Sequence, residues 1–272
     1  MKLKVVSSLF PFLLIAVIFG STLNSCKSKK KEPAVSKEEI KQDIEEYVYP
    51  LASAFDVPAM LNEIEASYIV GIANGAENVE KYFTEQSRAV NLGVYVADLA
   101  YATTYNQKAD VQAYFKAIQT LVNELDMTAA VSKSLAEDIE NNLDDTDALV
   151  ISITELSQDA YSFLNKQGRT ELSYLVLAGT AIEGLYLTTH ISENTFQNPK
   201  IIETILYQKE PLMKLEKLME PYKESELTAS VYKTVQEING VYAMEESTTA
   251  MTLDQIEKLT QLLDQVREKS VQ

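Results

Sequence analysis

The stretch AVNLGVYVADLAYATTYNQ, residues 89–107, contains a single charged residue, Asp98. Its apolar residues follow the spacing of an α-helix on one side and also cover much of the remaining circumference. A helix that is apolar on nearly every side lies at the centre of a protein. The sequence therefore predicts a central helix that carries one interior carboxylate.

A similar stretch, LAGTAIEGLYLTTH, occupies residues 177–190 and aligns with the first when Leu177 is placed on Leu92. Glu183 then takes the place of Asp98, Tyr186 takes the place of Tyr101, and a pair of threonines follows shortly after each tyrosine. Glu183 is again the only charge in its run. We predict a second central helix here. The similarity suggests an old duplication into halves near residues 36–125 and 126–210, although helices of similar composition also match by chance.

The whole chain favours helix, because it has only 8 glycines among 272 residues and is rich in good helix formers. No stretch alternates apolar and polar residues in the manner of a hairpin. We predict an all-α fold, an irregular bundle of about ten antiparallel helices in a single domain, residues 36–272. The expected helices are Ser36–Tyr49, one from Pro58 to about 74, one continuous helix of about 40 Å from Asn78 to Tyr105, 109–125, 128–143, 148–166, 172–191, one from Pro199 that is divided near Pro211, 225–245 and 252–269.

The N-terminal segment, up to Cys26, has the pattern of an export signal: Lys2 and Lys4, an uncharged and mostly apolar run at 5–20, and small polar residues. The apolar run is too short and too early for a membrane span. The sequence Leu23-Asn24-Ser25-Cys26 resembles the lipobox of bacterial lipoproteins. That resemblance implies that residues 1–25 are a signal peptide and that the acylated Cys26 anchors the mature chain. An ordinary secretory signal or an uncleaved anchor remains the alternative.

Residues 26–35 form a short basic segment, KSKKK after the cysteine, that we expect to be a flexible tether. Lipoproteins sent to the surface of Bacteroidetes-type bacteria have acidic residues at this place. The lysines therefore imply retention on the periplasmic side of the envelope. Removing residues 1–25 takes away two of the 24 basic residues and none of the 40 acidic ones, so the net charge changes from −16 to −18. Such an acidic chain argues against nucleic acid as a partner.

Asp98 and Glu183 are the sharpest candidates for a site, because a buried carboxylate is costly unless it is paired or protonated. Tyr101 and Tyr186 each follow one turn later on the same helix face. In one interpretation, these four residues line an interior polar pocket that binds a cation, a basic group or a polar ligand. In the other, each carboxylate is satisfied by a tyrosine, a neighbouring helix start or Arg88, and only fixes the packing of the helices.

The sequence predicts no catalytic residue, no cofactor and no metal. The chain has one histidine, His190, and lacks the Glu-x-x-His pairs of di-metal bundles. His190 and Glu193 are similar to part of the Gly-x-His-x-x-Glu motif of imelysin-like proteins, but Thr188 replaces the glycine, and a histidine that complements the end of its helix is the alternative. Asp145-Thr146-Asp147 lacks the remaining ligands of a calcium loop and is expected to cap a helix.

The segment Asn91–Gln107 resembles uncharacterised all-helical lipoproteins of Bacteroidetes-type bacteria. This resemblance implies a location in the cell envelope and an all-helical fold, but no activity. Our first hypothesis is a lipid-anchored, periplasm-facing protein that works without catalysis by binding a partner protein, an envelope component or a small solute. The alternative is a cell-envelope hydrolase that uses acidic side chains. A solvent-accessible cleft that reaches Asp98 and Glu183 would favour a ligand site or an enzyme, whereas a packed centre would favour a scaffold.

Overall fold

The computed structural model describes residues 50–63, 65–130, 133–191, 198–243 and 251–271. These residues contain ten α-helices, three short 3₁₀-helices and no β-strand, which confirms the prediction of an all-α bundle. They all belong to one compact unit. The α-helices are α1 Pro50–Glu63, α2 Glu85–Thr104, α3 Lys108–Glu124, α4 Lys133–Asn141, α5 Thr146–Lys166, α6 Thr170–His190, α7 Pro199–Tyr207, α8 Lys209–Met219, α9 Ala229–Tyr242 and α10 Leu253–Val271; the 3₁₀-helices are Ala76–Lys81, Thr128–Ala130 and Glu220–Tyr222.

Several predictions concern residues outside the described ranges. They are the signal peptide at 1–25, the lipidation site Cys26, the tether at 26–35, the helix Ser36–Tyr49 and Glu193. Within the described ranges, no helix combines the length and the apolar character that crossing a membrane would require.

Helices α2 and α6 form the centre of the bundle. Every residue from Ala89 to Thr103 is buried, and most of α6 is buried as well. Glu85 at the start of α2 pairs with Arg169 just before α6, with 2.9 Å between Oε1 and Nη2. Asp98 and Glu183 meet further along the same two helices. The central helices therefore run parallel, and the sequence alignment that pairs Asp98 with Glu183 also pairs their first residues. Their origin by duplication stays a prediction.

Two glycines let the central helices approach each other closely. A Cβ on Gly93 would overlap the carbonyl oxygen of Val176, and a Cβ on Gly179 would overlap that of Val90. The hydroxyl of Thr180 donates to the carbonyl oxygen of Gly93 at 3.1 Å across the same crossing. Small residues at such a crossing allow backbone contact that any side chain would prevent. The close contact fixes the relative position of α2 and α6, and with it the meeting of their carboxylates.

The prediction of one continuous helix from Asn78 to Tyr105 is wrong. A 3₁₀-helix covers Ala76–Lys81, the chain is extended at Tyr82, and α2 begins at Glu85. The hydroxyl of Thr84 accepts from the backbone of Ser87 at 3.0 Å, and Ser87 accepts from the backbone of Thr84 at 3.1 Å. This reciprocal cap starts a new helix, so the central helix has 20 residues and spans about 30 Å.

Other boundaries also differ from the predictions. Helix α1 starts at Pro50 and continues through Pro58, because the burial of Phe55, Pro58 and Leu61 outweighs the backbone hydrogen bond that a proline removes. Residues 66–75, predicted as the end of that helix, are irregular. The predicted helix 128–143 is a 3₁₀-turn followed by α4. The predicted division near Pro211 occurs at Gln208, which places Pro211 in the first turn of α8, where proline is tolerated.

Candidate functional site

The carboxyl groups of Asp98 and Glu183 lie against each other in the interior. Their exposed fractions are 0% and 1%, and the two side chains are hydrogen-bonded to each other. Asp98 Oδ2 also accepts from the backbone nitrogen of Asn74 at 3.1 Å. Two ionised carboxylates can only accept hydrogen bonds, so a bond between them requires a proton on one of them. Without that proton, Asp98 Oδ1 has no donor.

We assign the proton to Asp98, because the guanidinium of Arg267 lies against Glu183 and stabilises the ionised form of that carboxyl. Burial raises the pKa of Asp98 well above its usual value, and the adjacent charge of Glu183 raises it further. Burial also raises the pKa of Glu183, but the charge of Arg267 and the hydrogen bond from Asp98 both oppose that rise. We conclude that a neutral Asp98 donates to an ionised Glu183, as in other carboxyl pairs that share one proton.

Arg267 of α10 supplies the counter-charge. Its Nη2 lies 3.0 Å from Glu183 Oε1, and only 11% of its side chain is exposed. Its guanidinium carbon lies 4.0 Å from the centre of the Tyr186 ring, in a cation–π contact. Burial lowers the pKa of Arg267, but the carboxylates outweigh that effect and the net shift is upward. The role of Arg267 is not predictable from the sequence, because nothing in an amphipathic helix such as α10 marks which of its basic residues turns inward.

The irregular segment 65–75 is held in place by buried polar groups of α2 and α10. Tyr101 accepts from the backbone nitrogen of Ile69 at 2.9 Å, and Arg267 Nη1 donates to the carbonyl oxygen of Ile72. The hydroxyl of Tyr95 donates to the carbonyl oxygen of Gly75 at 3.0 Å. Together with the bond from Asn74 to Asp98, these contacts give a segment without regular structure a fixed conformation. A rigid scaffold that positions an irregular segment is a common arrangement at binding sites.

A polar cavity of about 390 Å³ lies between this segment and α10. We call it the Arg267 cavity. One wall consists of Gly71, Ala73, Asn74, Gly75 and Asn78, and the other consists of Tyr186, Asp264, Arg267, Glu268 and Val271. Its volume falls within the range of about 300–1,000 Å³ that is typical of small-molecule sites. Asp98 and Glu183 are absent from its lining, so the guanidinium of Arg267 separates the acid pair from the cavity.

The four residues predicted for an interior pocket have different environments. Asp98 and Glu183 meet, and Tyr186 joins them through Arg267. Tyr101 instead turns to the segment 65–75, where its ring stacks on Tyr68 at 4.8 Å. Neither tyrosine satisfies the carboxylate one turn before it in the way that we predicted.

The suggestion that Arg88 satisfies one of the two carboxylates is also wrong. Its Nε binds Glu124 at 2.9 Å and the carbonyl oxygen of Tyr82 at 3.0 Å, away from the acid pair. The chain close to Arg88 is therefore tied to α3, and the buried counter-charge comes from the far end of the sequence.

His190 has a structural environment at the end of α6. Its ring stacks on Tyr186 at 4.0 Å between centroids, and its Nε2 lies 2.9 Å from Asp264 Oδ1 of α10. Asp145 caps α5 by accepting from the backbone nitrogen of Ala148 at 3.1 Å. In the part of the chain that the structure describes, no three metal-binding side chains come together in a way that could hold a metal ion.

Comparison with protein family models gave no match, and neither curated proteins nor solved structures gave one. The fold and the site therefore define only a class: a helical bundle with a proton-sharing acid pair and a polar cavity beside its counter-charge.

Proposed function

We propose that this chain is a lipid-anchored, periplasm-facing protein that binds a small polar solute in the Arg267 cavity and performs no catalysis. The observation that carries the proposal is the use of a buried ionic network to fix the wall of an open polar cavity. Burying two carboxyls and a guanidinium is expensive, and apolar residues of similar volume would pack the centre at no greater cost. A role in stability alone therefore does not account for this network, whereas a role in positioning the wall of a ligand-binding cavity does.

The position of the acid pair argues against its use in catalysis. Asp98 and Glu183 are sealed from solvent, and the proton that they share is already engaged between them. A general acid or base must come within hydrogen-bond reach of its substrate. No substrate in the Arg267 cavity reaches these carboxyls without displacing Arg267.

An envelope hydrolase remains the second candidate, because two other carboxylates, Asp264 and Glu268, line the cavity one helical turn apart. In that case Asp264→Asn or Glu268→Gln would abolish turnover of a hydrolysable substrate while leaving its binding. The binding hypothesis expects no turnover with either the native protein or the variants.

Solute binding is tested on the mature chain from Cys26 onward, purified without added ligand. Native mass spectrometry would reveal a retained solute, and a thermal-shift panel of amines, amino acids, sugars and small carboxylates would reveal one that was lost. Val271→Phe narrows the cavity from the end of α10 and should abolish binding. Leu253→Phe, at the exposed start of the same helix, is the control. If no solute binds, or if Val271→Phe leaves binding unchanged, the proposal is wrong.

The anchor is supported by the resemblance of Leu23–Cys26 to a lipobox and is tested separately. Several acyl chains hold a protein firmly on a membrane, whereas one does not. The mass of the mature N-terminus should correspond to an acylated Cys26, and Cys26→Ala should move the protein to the soluble fraction. A Cys26→Ala protein that stayed equally membrane-bound would contradict acylation.

A further inference from the structure

A second polar cavity, of about 240 Å³, lies where the first half of α2 meets α9 and α10. We call it the Asn91 cavity. It shares no lining residue with the Arg267 cavity: α10 contributes Leu262, Gln265, Val266, Lys269 and Ser270 here, and Asp264, Arg267, Glu268 and Val271 there. The two cavities therefore lie on different faces of the last turns of α10.

Asn91 is the unusual member of this lining. Its side chain is completely buried in the apolar helix α2. Its Nδ2 donates to the carbonyl oxygen of Ser87 at 2.9 Å and to that of Ser270 at 2.8 Å. These two acceptors fix the orientation of the amide, because the opposite orientation would place oxygen against oxygen. Its Oδ1 then has no donor. A buried acceptor without a partner is costly, and a donor from a ligand would remove that cost.

The remaining lining combines hydroxyl and amide groups with an apolar surface. The polar side chains belong to Gln86, Ser87, Ser230, Thr234, Gln265 and Ser270. Val90, Val231, Leu262 and Val266 supply the apolar part. Glu237 and Lys269 add one charge of each sign to the lining, and Glu237 is itself paired with Lys233 of α9, with 3.7 Å between Oε1 and Nζ. Such a surface matches a neutral molecule that has many hydroxyl groups and an apolar C–H face.

We infer that the Asn91 cavity binds a single neutral sugar ring, one of whose hydroxyl groups donates to Asn91 Oδ1. The cavity is smaller than the usual range for drug-sized ligands, which restricts the occupant to about one ring. The valine and leucine side chains contact the C–H face of the ring, while the serine, threonine and glutamine side chains exchange hydrogen bonds with its rim. This inference is independent of the solute in the Arg267 cavity.

The experiment titrates D-glucose, D-galactose and D-mannose into the mature protein and follows saturation-transfer NMR and chemical shifts. Tetrahydropyran, which has the ring without hydroxyl groups, is the control probe. Thr234→Val keeps the shape of the side chain and should weaken sugar binding at least 5-fold, and Asn91→Leu should abolish it. Thr260→Val is the matched control, since Thr260 makes the same bond to the carbonyl four residues earlier but lies outside the cavity.

Each outcome of the titration either supports or overturns sugar binding in the Asn91 cavity. Binding of at least one hexose that Thr234→Val weakens and Thr260→Val does not would support the inference. If Asn91→Leu fails to fold, Thr234→Val and Ser230→Ala are sufficient. Absence of binding by all three hexoses, or binding that these variants leave unchanged, would overturn it. A hexose that is lost only with Val271→Phe occupies the Arg267 cavity, which would refute this inference and leave the proposed function intact.

Discussion

Asp98 and Glu183 are distant in the sequence, one on each central helix, and share one proton in the interior of the bundle. Arg267, from the last helix of the chain, balances the single negative charge that remains, with 3.0 Å between its Nη2 and Glu183 Oε1. Three helices, α2, α6 and α10, are thus joined by one neutral unit. The two carboxyls have different roles in it, and their substitutions should have different effects.

Asp98→Asn should not lower the free energy of unfolding at pH 7. The amide oxygen can accept from Asn74 as the carboxyl oxygen does, and the amide nitrogen can donate to Glu183 without needing a bound proton. Glu183→Gln should cost about 3 kcal/mol, because it leaves Arg267 without its direct counter-charge. Urea unfolding followed by circular dichroism measures both. Equal losses for the two variants would contradict the assignment of the proton to Asp98.

The stability should depend on pH through the same proton. The pKa of Asp98 is raised in the folded protein, so the folded state binds the proton more tightly than the unfolded state does. The stabilisation that this proton gives to the folded state is complete below about pH 4, the pKa of Asp98 in the unfolded chain. It declines as pH rises from there to the pKa of Asp98 in the folded protein. The difference in unfolding free energy between native protein and Asp98→Asn should therefore fall by up to about 1.4 kcal/mol per pH unit in that window. A difference that does not vary with pH would show that Asp98 is ionised.

Replacement of either crossing glycine should separate the central helices. Gly93→Ala and Gly179→Ala each place a methyl group on a backbone carbonyl of the other helix, so each should cost about 1–3 kcal/mol or more, despite the better helix propensity of alanine. Gly240→Ala is the control, because its added Cβ meets nothing within 4 Å on the exposed side of α9. At position 240, the higher helix propensity of alanine alone should raise the free energy of unfolding by up to about 1 kcal/mol. Thermal unfolding of the three variants measures the contrast.

A small apolar cavity of about 30 Å³ lies between α2, α3, α5 and α6. Val122, which lines it, can be extended to isoleucine, and the added methylene should stabilise by about 0.8 kcal/mol. Val235→Ile makes the same change at a fully buried valine that does not border this cavity, so it should overpack the core and destabilise. Chemical denaturation measures the free energy of unfolding of both variants, which should change in opposite directions. If Val122→Ile also destabilises, the space is not available to a side chain.

Part of this arrangement follows from local sequence. The uncharged runs around Asp98 and Glu183 predict two buried helices, because only burial explains a helix that is apolar on nearly every side. Most helix ends also follow from local signals. One example is Asn198 just before Pro199: the side chain of Asn198 accepts a hydrogen bond from the backbone nitrogen of Lys200. The predicted start of α2 is too early, because the reciprocal Thr84–Ser87 cap begins a new helix inside a sequence pattern that is helical on both sides of it.

The sequence by itself determined the all-α class, the two central helices and the presence of one acid in each, since these depend on composition and periodicity over short spans. Only the tertiary structure decided that the acids share a proton, that Arg267 rather than Arg88 balances them, and that Tyr101 turns away to hold the segment 65–75. Those contacts join residues that lie on different elements and are at least 32 positions apart in the sequence. Their geometry is set by the close crossing at Gly93 and Gly179 and by the docking of α10, and no local pattern encodes either.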